Sequence, residues 1–174
     1  MATYVFSDPH FDSEKIIVNG ERPFQDVAHM NKTLMENYNS VVQKQDICYW
    51  LGDVMYGASK EKVSKILRQL HGRKYLILGN HDRGHSEKWW MDAGFDKVFS
   101  HPVYIAEQYI MLSHEPLPEF GEMHPIANIH GHIHIQDYDF NNHSHCINVS
   151  VEKTDYKPVL MRNPFLTMAR EFGR

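Results

Sequence analysis

The chain has 174 residues, 42% of them hydrophobic and 23% charged, and its formal net charge is −4. This length favours one folded domain over residues 1–174, and the composition is that of a globular protein rather than a fibrous or disordered one. No apolar run approaches the roughly 18 residues of a membrane helix. The lack of a long basic block argues against binding of long nucleic acids.

The N-terminus and the cysteines predict a cytoplasmic protein. The segment from Met1 to Asp8 lacks the basic region of a signal peptide, and Asp8 interrupts its apolar stretch. Cys48 and Cys146 each lie in an apolar run without a CxxC neighbour, which predicts two buried, reduced thiols. The 13 histidines exceed what packing needs and point to metal ligation or proton transfer.

The first half of the chain alternates predicted strands and helices, which favours a parallel sheet with crossover helices. The apolar residues of the first helix recur at helical spacing, and the strands are apolar throughout. The predicted elements are a strand at Thr3–Ser7, a loop at Phe11–Phe24, a helix at Gln25–Val42, a strand at Ile47–Leu51, a helix from Ser59 to Gly72 and a strand at Lys74–Leu78.

Short β runs in the second half predict a second sheet. A helix at Ser86–Ala93 precedes them, Glu115–Pro125 is a predicted loop, and a weak helix or a loose tail is predicted from Asn163. The β runs lie at residues 98–99, 103–106, 109–112, 126–129 and 146–151.

Polar side chains follow each of the three predicted parallel strands. Asp8 and His10 follow the first, Asp53 the second, and Asn80 with His81 the third. Ligands of open α/β sheets bind outside the carboxyl ends of the strands, so these groups are predicted to converge.

Two strands of the second half also end in histidines. Including these, seven candidate metal ligands carry nitrogen or hard oxygen atoms: Asp8, His10, Asp53, Asn80, His114, His132 and His134. Seven ligands exceed the four of a tetrahedral zinc site, whereas two ions sharing a bridging carboxylate would use them all. Such ligands suit manganese, our first expectation, and also iron, zinc, cobalt or nickel.

Five short motifs occur in order between residues 8 and 134. They are Asp8-x-His10, Gly52-Asp53, Gly79-Asn80-His81-Asp82, His114 and Gly131-His132-x-His134. Together they resemble the calcineurin-like metallophosphoesterase superfamily, and most closely its small bacterial and phage members. The resemblance implies an α/β fold, a four-layer α/β/β/α sandwich in which two mixed β-sheets are flanked by helices (the metallo-dependent phosphatase fold).

The resemblance also implies a role for each candidate residue. Asp53 would bridge two ions, a hydroxide held between them would attack phosphorus, and His81 would protonate the leaving group. The other ligands of one ion would be Asp8, His10 and His134, and those of the second ion Asn80, His114 and His132.

One departure from the family pattern narrows the function. Protein phosphatases of this superfamily extend the second motif to GDxxDRG, whereas here Gly52-Asp53 continues as Val54-Met55-Tyr56-Gly57. The missing acid and arginine argue against a protein phosphatase and leave open what orients His81; Asp82 is the candidate.

Other residues could contact a substrate. Arg22 and Arg83 are each available to bind a phosphate oxygen, although a plain surface arginine is the favoured interpretation. His124, in the predicted loop, is a candidate substrate contact.

The sequence therefore predicts a dinuclear metal-dependent hydrolase of small phosphomonoesters or phosphodiesters, with a small phosphorylated substrate and no membrane partner. The alternatives are a nuclease and a non-catalytic scaffold, similar to the retromer subunit of this superfamily. His81 favours catalysis, because a scaffold needs no general acid. The sequence leaves open the substrate, the native metal and the oligomeric state.

Overall fold

The computed structural model describes residues 1–117, 125–136 and 145–163. The candidate substrate contact His124 and the predicted tail after Asn163 lie outside these ranges. The α-helices are α1 (Glu14–Asn19), α2 (Val27–Val41), α3 (Lys60–Leu67) and α4 (Glu87–Ala93). The strands are β1 (Thr3–Phe6), β2 (Ile47–Trp50), β3 (Arg73–Ile77), β4 (Lys97–Phe99), β5 (Val103–Ile105), β6 (Ile110–Leu112), β7 (Ala127–His130), β8 (Cys146–Asn148) and β9 (Val159–Leu160).

The strands form two mixed sheets, as predicted. The first sheet has the order β4-β3-β2-β1-β9; its first four strands are parallel, and β9 runs antiparallel to β1. The second sheet has the order β5-β6-β7-β8, in which β5 alone is antiparallel to its neighbour. The carboxyl ends of β1, β2 and β3 therefore meet at one edge, and those of β6 and β7 do so in the second sheet.

The helices cover one face of the first sheet. Helix α2 begins after Asp26, whose side chain accepts a hydrogen bond from the His29 backbone and caps the first turn. It buries Met30, Leu34 and Tyr38, which are spaced four residues apart and therefore lie on one side of the helix. These side chains pack into a core with residues of β1 and β2.

The other face of the first sheet packs on the second sheet. Successive side chains of a strand point to opposite faces, so Phe6 contributes to the core under the helices and Val5 to the core between the sheets. The side chains that meet between the two sheets are Val5, Leu51 and Ile77 from the first and Ile110, Leu112 and Ile129 from the second. Helices, the first sheet and the second sheet thus form successive layers.

The segment from Phe11 to Phe24 is not entirely loop, contrary to the prediction. It contains α1, which the Ser13 hydroxyl caps by accepting a hydrogen bond from Ile16 N at 3.3 Å. Ile16 and Ile17 pack against the helical core, which explains why six residues suffice for a helix here. Strand β9 was also missed, because two residues carry no readable periodicity.

Cys48 and Cys146 are both buried, as predicted, and Cys48 is a free thiol. In the described part of the chain, the helices are too short or too polar to span a bilayer.

Candidate active site

The candidate metal ligands lie where strands end. In the first sheet they follow β1, β2 and β3, and in the second they follow β6 and β7. Five of the seven have positive φ angles, between 47° and 71°: Asp8, His10, Asp53, His132 and His134. Such angles strain residues other than glycine by about 1–3 kcal/mol each, and this strain clusters at functional sites.

The first cluster consists of Asp8, His10 and His134. One potential ligand atom from each residue lies within 4.8 Å of the others. Asp8 Oδ2 accepts hydrogen bonds from the hydroxyls of Ser7 and Ser150, at 2.7 and 3.0 Å. Asp8 Oδ1 and His10 Nε2, in contrast, are buried and have no hydrogen-bond partner within the described ranges. Buried polar atoms without partners are costly, and these two fit ligation of a cation.

The ring of His10 is held neutral. Burial, together with the neighbouring His134 and Arg22, lowers the pKa of His10 to about 2. A neutral imidazole has a free lone pair, which is the form that ligates metals. His10 Nε2 also lies 3.4 Å from Asp53 Oδ2, so the first cluster borders on Asp53.

The second cluster consists of Asp53, His114 and His132, with Asn80 beside them. His114 Nδ1 lies 2.7 Å from the Leu51 carbonyl oxygen, which accepts a hydrogen bond from Nδ1–H. The lone pair of the ring therefore lies on Nε2. That Nε2 atom lies 2.8 Å from Asn80 Oδ1 and 3.0 Å from His132 Nδ1. Several acceptor atoms thus converge with few hydrogen-bond donors between them, and this arrangement again fits the binding of a cation.

Asp53 lies between the two clusters. Its Oδ2 atom is 3.4 Å from His10 Nε2, and its Oδ1 atom is 3.6 Å from His114 Nε2. The carboxylate therefore reaches one ligand of each cluster with a different oxygen. A bridging role for Asp53 between two ions requires this position.

Asp82 holds the loops that carry the second cluster. Its Oδ2 accepts hydrogen bonds from the backbone N–H groups of Asp53 and Gly79, at 2.7 and 2.9 Å, and its Oδ1 from Val54 N at 3.0 Å. Sequence analysis offered Asp82 as the residue that orients His81. Its carboxylate oxygens are instead occupied by backbone groups, so Asp82 fixes the loop after β2 against the loop after β3.

His81 lies beside both clusters and is open to solvent. Its side chain is 54% exposed, and Nε2 lies 3.9 Å from Asp53 Oδ2. The ring centroid is 5.4 Å from that of His10. The backbone N–H of His81 donates to Asp53 Oδ1 at 3.0 Å, which ties its position to the central carboxylate.

Gly79 is required by a close approach of two loops. A Cβ atom at this position would overlap Asp53, both its side chain and its backbone nitrogen at 2.6 Å. The absence of a side chain at Gly79 therefore lets the loops after β2 and β3 touch.

Arg22 is buried, so its interpretation as a surface arginine is wrong. Its guanidinium donates to Glu152 Oε1 and to the backbone carbonyls of Pro9 and Asp8. These partners leave it no access to a phosphate. Glu152 also accepts from His134 Nδ1 at 3.0 Å, and sequence analysis missed it because no motif surrounds it.

Arg83 remains available to a substrate. Its side chain is 60% exposed and makes one long contact, 3.5 Å, to Glu115 Oε1. Arg83 and Glu115 line a cavity of about 100 Å³ next to His114. The cavity therefore adjoins the second cluster and carries a cation at its rim.

The chain matches the family model described as calcineurin-like phosphoesterase over residues 1–166. An uncharacterized protein of Methanocaldococcus jannaschii is 38% identical over 161 residues, covering 90% of this chain and 85% of that protein. The gene 66 protein of Mycobacterium phage L5 is 35% identical over 85 residues, covering 48% of this chain and 41% of that protein. The crystal structure of a protein of unknown function from Aquifex aeolicus has 27% identity and a TM-score of 0.68, covering 91% of this chain and 94% of that one.

Proposed function

Because the chain belongs to the calcineurin-like phosphoesterase family, we propose that it hydrolyses small phosphate esters with two divalent metal ions. The observation that carries the proposal is the position of Asp53 between two clusters of ligand atoms. The first ion would be held by Asp8, His10, Asp53 and His134, and the second by Asp53, Asn80, His114 and His132. Mn²⁺ is the first candidate for both, because the ligands are nitrogen and hard oxygen.

Two such ions, when bound, supply a water-derived nucleophile at neutral pH and stabilise charge on the phosphoryl group. The residues of the chain contribute what surrounds this chemistry. Asp82 keeps Asp53 and the Asn80 loop in register through its backbone hydrogen bonds. The carbonyl of Leu51 fixes the ring of His114 through Nδ1.

His81 is the proposed general acid. It stands outside both ligand sets, is exposed toward solvent, and has Nε2 within 3.9 Å of Asp53. A histidine can hold a proton near neutral pH, so His81 would give the proton from Nε2 to the leaving oxygen. This assignment accounts for a histidine that metal binding does not require.

The cavity beside His114 supports a small substrate. Its volume of about 100 Å³ could hold a compact group of the substrate, and Arg83 could contact a phosphate oxygen there. The buried free thiol of Cys48 accords with a reducing compartment, and we propose the cytoplasm as the place of action.

Leaving-group dependence tests the general acid. Wild type and His81→Ala, each reconstituted with Mn²⁺, are assayed on two sets of phosphate esters. Bis-p-nitrophenyl phosphate and alkyl p-nitrophenyl phosphates release p-nitrophenolate, a good leaving group, whereas phenyl esters have a poorer one. Loss of a general acid should slow esters with poor leaving groups by about 10²–10⁴-fold. The p-nitrophenolate ion needs little protonation, so its release should slow far less.

His29→Ala is the matched control, because His29 is an exposed histidine on α2. It should retain wild-type rates on every ester. An equal loss of rate on good and poor leaving groups in His81→Ala would contradict the general-acid role. If metal-loaded wild type hydrolyses none of these esters, the proposed activity on small phosphate esters is wrong, and the nuclease and scaffold alternatives remain.

A further inference from the structure

A buried ion pair joins two distant parts of the chain behind the first cluster. Arg22 Nη2 and Glu152 Oε1 are 2.7 Å apart, and the two side chains are 0% and 2% exposed. Arg22 follows α1, whereas Glu152 lies in a short 3-10 helix at Val151–Lys153. Moving two charges out of water costs free energy, and a pair of well-packed apolar residues at the same positions often gives equal stability. The pair therefore calls for a function beyond stability.

The Arg22 side holds the loop after β1. Nη2 donates to the carbonyl oxygen of Asp8 at 2.7 Å, and Nη1 donates to that of Pro9 at 2.8 Å. Asp8 and His10 both have positive φ angles, 56° and 47°. Strained backbone persists only where the surrounding structure holds it, and Arg22 supplies two hydrogen bonds between these residues.

The Glu152 side holds the third member of the cluster. Its Oε1 atom lies 3.0 Å from His134 Nδ1. A carboxylate only accepts hydrogen bonds, so Nδ1 carries the proton and the lone pair lies on Nε2. The His134 ring lies beside that of His10, with centroids 5.2 Å apart and the rings tilted by 32°, so this tautomer leaves a lone pair for the first cluster.

We propose that Arg22 and Glu152 are positioning residues that together preset Asp8, His10 and His134 for one metal ion. The inference rests on the proposed metal-dependent function. One ion pair reaches every ligand that belongs to the first cluster alone, through two backbone carbonyls and one imidazole. The second cluster has its own support from Asp82 and the Leu51 carbonyl, so the effect of the ion pair is confined to one ion.

Calorimetric titration of the metal-free protein with Mn²⁺ tests the proposal in Glu152→Ala, which removes the oxygen that both Arg22 and His134 contact. Loss of a partner behind a metal ligand costs about 10–100-fold in metal affinity. We expect this loss for one of two ions and an unchanged affinity for the other. Glu36→Ala is the matched control, because the Glu36 side chain is 67% exposed and its carboxylate lies 3.8 Å from Lys32 Nζ.

A second readout uses ¹⁵N NMR of the histidine rings in the metal-free protein. At a pH where the His134 ring is neutral, wild type should show a protonated Nδ1 and an unprotonated Nε2. Glu152→Ala should lose this fixed tautomer, whereas Glu36→Ala should keep it. Because no metal is present, this readout decides the positioning role even if the protein binds fewer than two ions.

The outcomes separate the two claims. Wild type that fails to bind two Mn²⁺ ions overturns the proposed function. A Glu152→Ala protein with wild-type affinity for both ions and a wild-type His134 tautomer overturns the positioning role. If Glu152→Ala does not fold, Arg22→Lys replaces it: a lysine keeps the charge but lacks the fork that reaches both carbonyls. It should also weaken one ion about 10-fold or more, and unchanged binding would overturn the proposal.

Discussion

Replacing Asp82 with asparagine isolates what its carboxylate does for the site. The amide oxygen of Asp82→Asn can keep the two bonds from Asp53 N and Gly79 N. Its NH₂ group then faces Val54 N, now 3.0 Å from Oδ1, and two donors oppose each other. A buried donor without an acceptor costs about 1–3 kcal/mol, and hydrogen bonds to a charged group are worth more than neutral ones.

A compensating gain reduces this cost. Burial raises the pKa of Asp82 to about 6, although its three backbone hydrogen bonds oppose that shift. The carboxylate is therefore ionised at pH 8, and its burial costs desolvation free energy that a neutral amide avoids. We expect a net loss of about 2 kcal/mol in the free energy of unfolding at pH 8.

Urea denaturation of the metal-free protein, monitored by circular dichroism, measures this loss. Asp92→Asn serves as the control: Asp92 is an exposed partner of Lys88 on α4, and its replacement should leave the midpoint unchanged. An Asp82→Asn midpoint equal to that of wild type would refute the assignment of Asp82 to the loop backbone. A variant as stable as wild type but inactive would instead favour a direct part in catalysis.

Three further predictions concern the core and the loop anchors. Leu34→Ala removes a fully buried side chain of α2 and should lower the free energy of unfolding by about 2–5 kcal/mol; a loss below about 1 kcal/mol would contradict the packing described. Trp90→Phe removes the hydrogen bond that Nε1 donates to the backbone carbonyl of Asp82 at 3.2 Å, and it should lower the free energy of unfolding by about 2 kcal/mol. An unshifted urea midpoint would contradict this prediction. Burial raises the pKa of the Cys48 thiol to about 12, so in Cys146→Ser it should resist iodoacetamide at pH 9 until urea is added. Fast alkylation without urea would contradict the burial of Cys48. Because the unfolded thiol ionises near pH 9 and the folded one does not, the free energy of unfolding should fall as pH rises above about 9.

The location of the site could be predicted because it depends on strand ends. Asp8, Asp53 and Asn80 each follow an apolar strand, and parallel pairing of those strands brings their carboxyl ends to one edge. His114 and His132 follow strands of the second sheet in the same way. The order of elements along the chain thus carries the information.

The supports of the site could not be predicted, because they depend on pairs distant in sequence. Arg22 and Glu152 are 130 residues apart, and neither lies in a motif. The sequence favours a surface position for Arg22, because a buried guanidinium needs a partner that only the folded structure brings to it. The hydrogen bonds of Asp82 could not be predicted for a similar reason, since its neighbours in sequence give no sign that its oxygens bind the loop after β2.

The α1 helix shows a signal that was present but unused. Ser13 followed by Glu14 is a good helix start, and Ile16 with Ile17 provides an apolar face. Six residues are too few for stable helix formation in isolation, so the composition read as loop. Tertiary packing supplies the remaining stabilisation.

We propose that two metal ions at the shared Asp53 carboxylate make this chain a phosphoesterase. Mn²⁺ titration of the metal-free protein, with parallel assay of bis-p-nitrophenyl phosphate hydrolysis, tests this proposal directly. We expect two ions per chain, activity that appears only as the second ion binds, and loss of both the second ion and the activity in Asp53→Asn. Full activity with one ion per chain, or undiminished activity after removal of all metal, would contradict it.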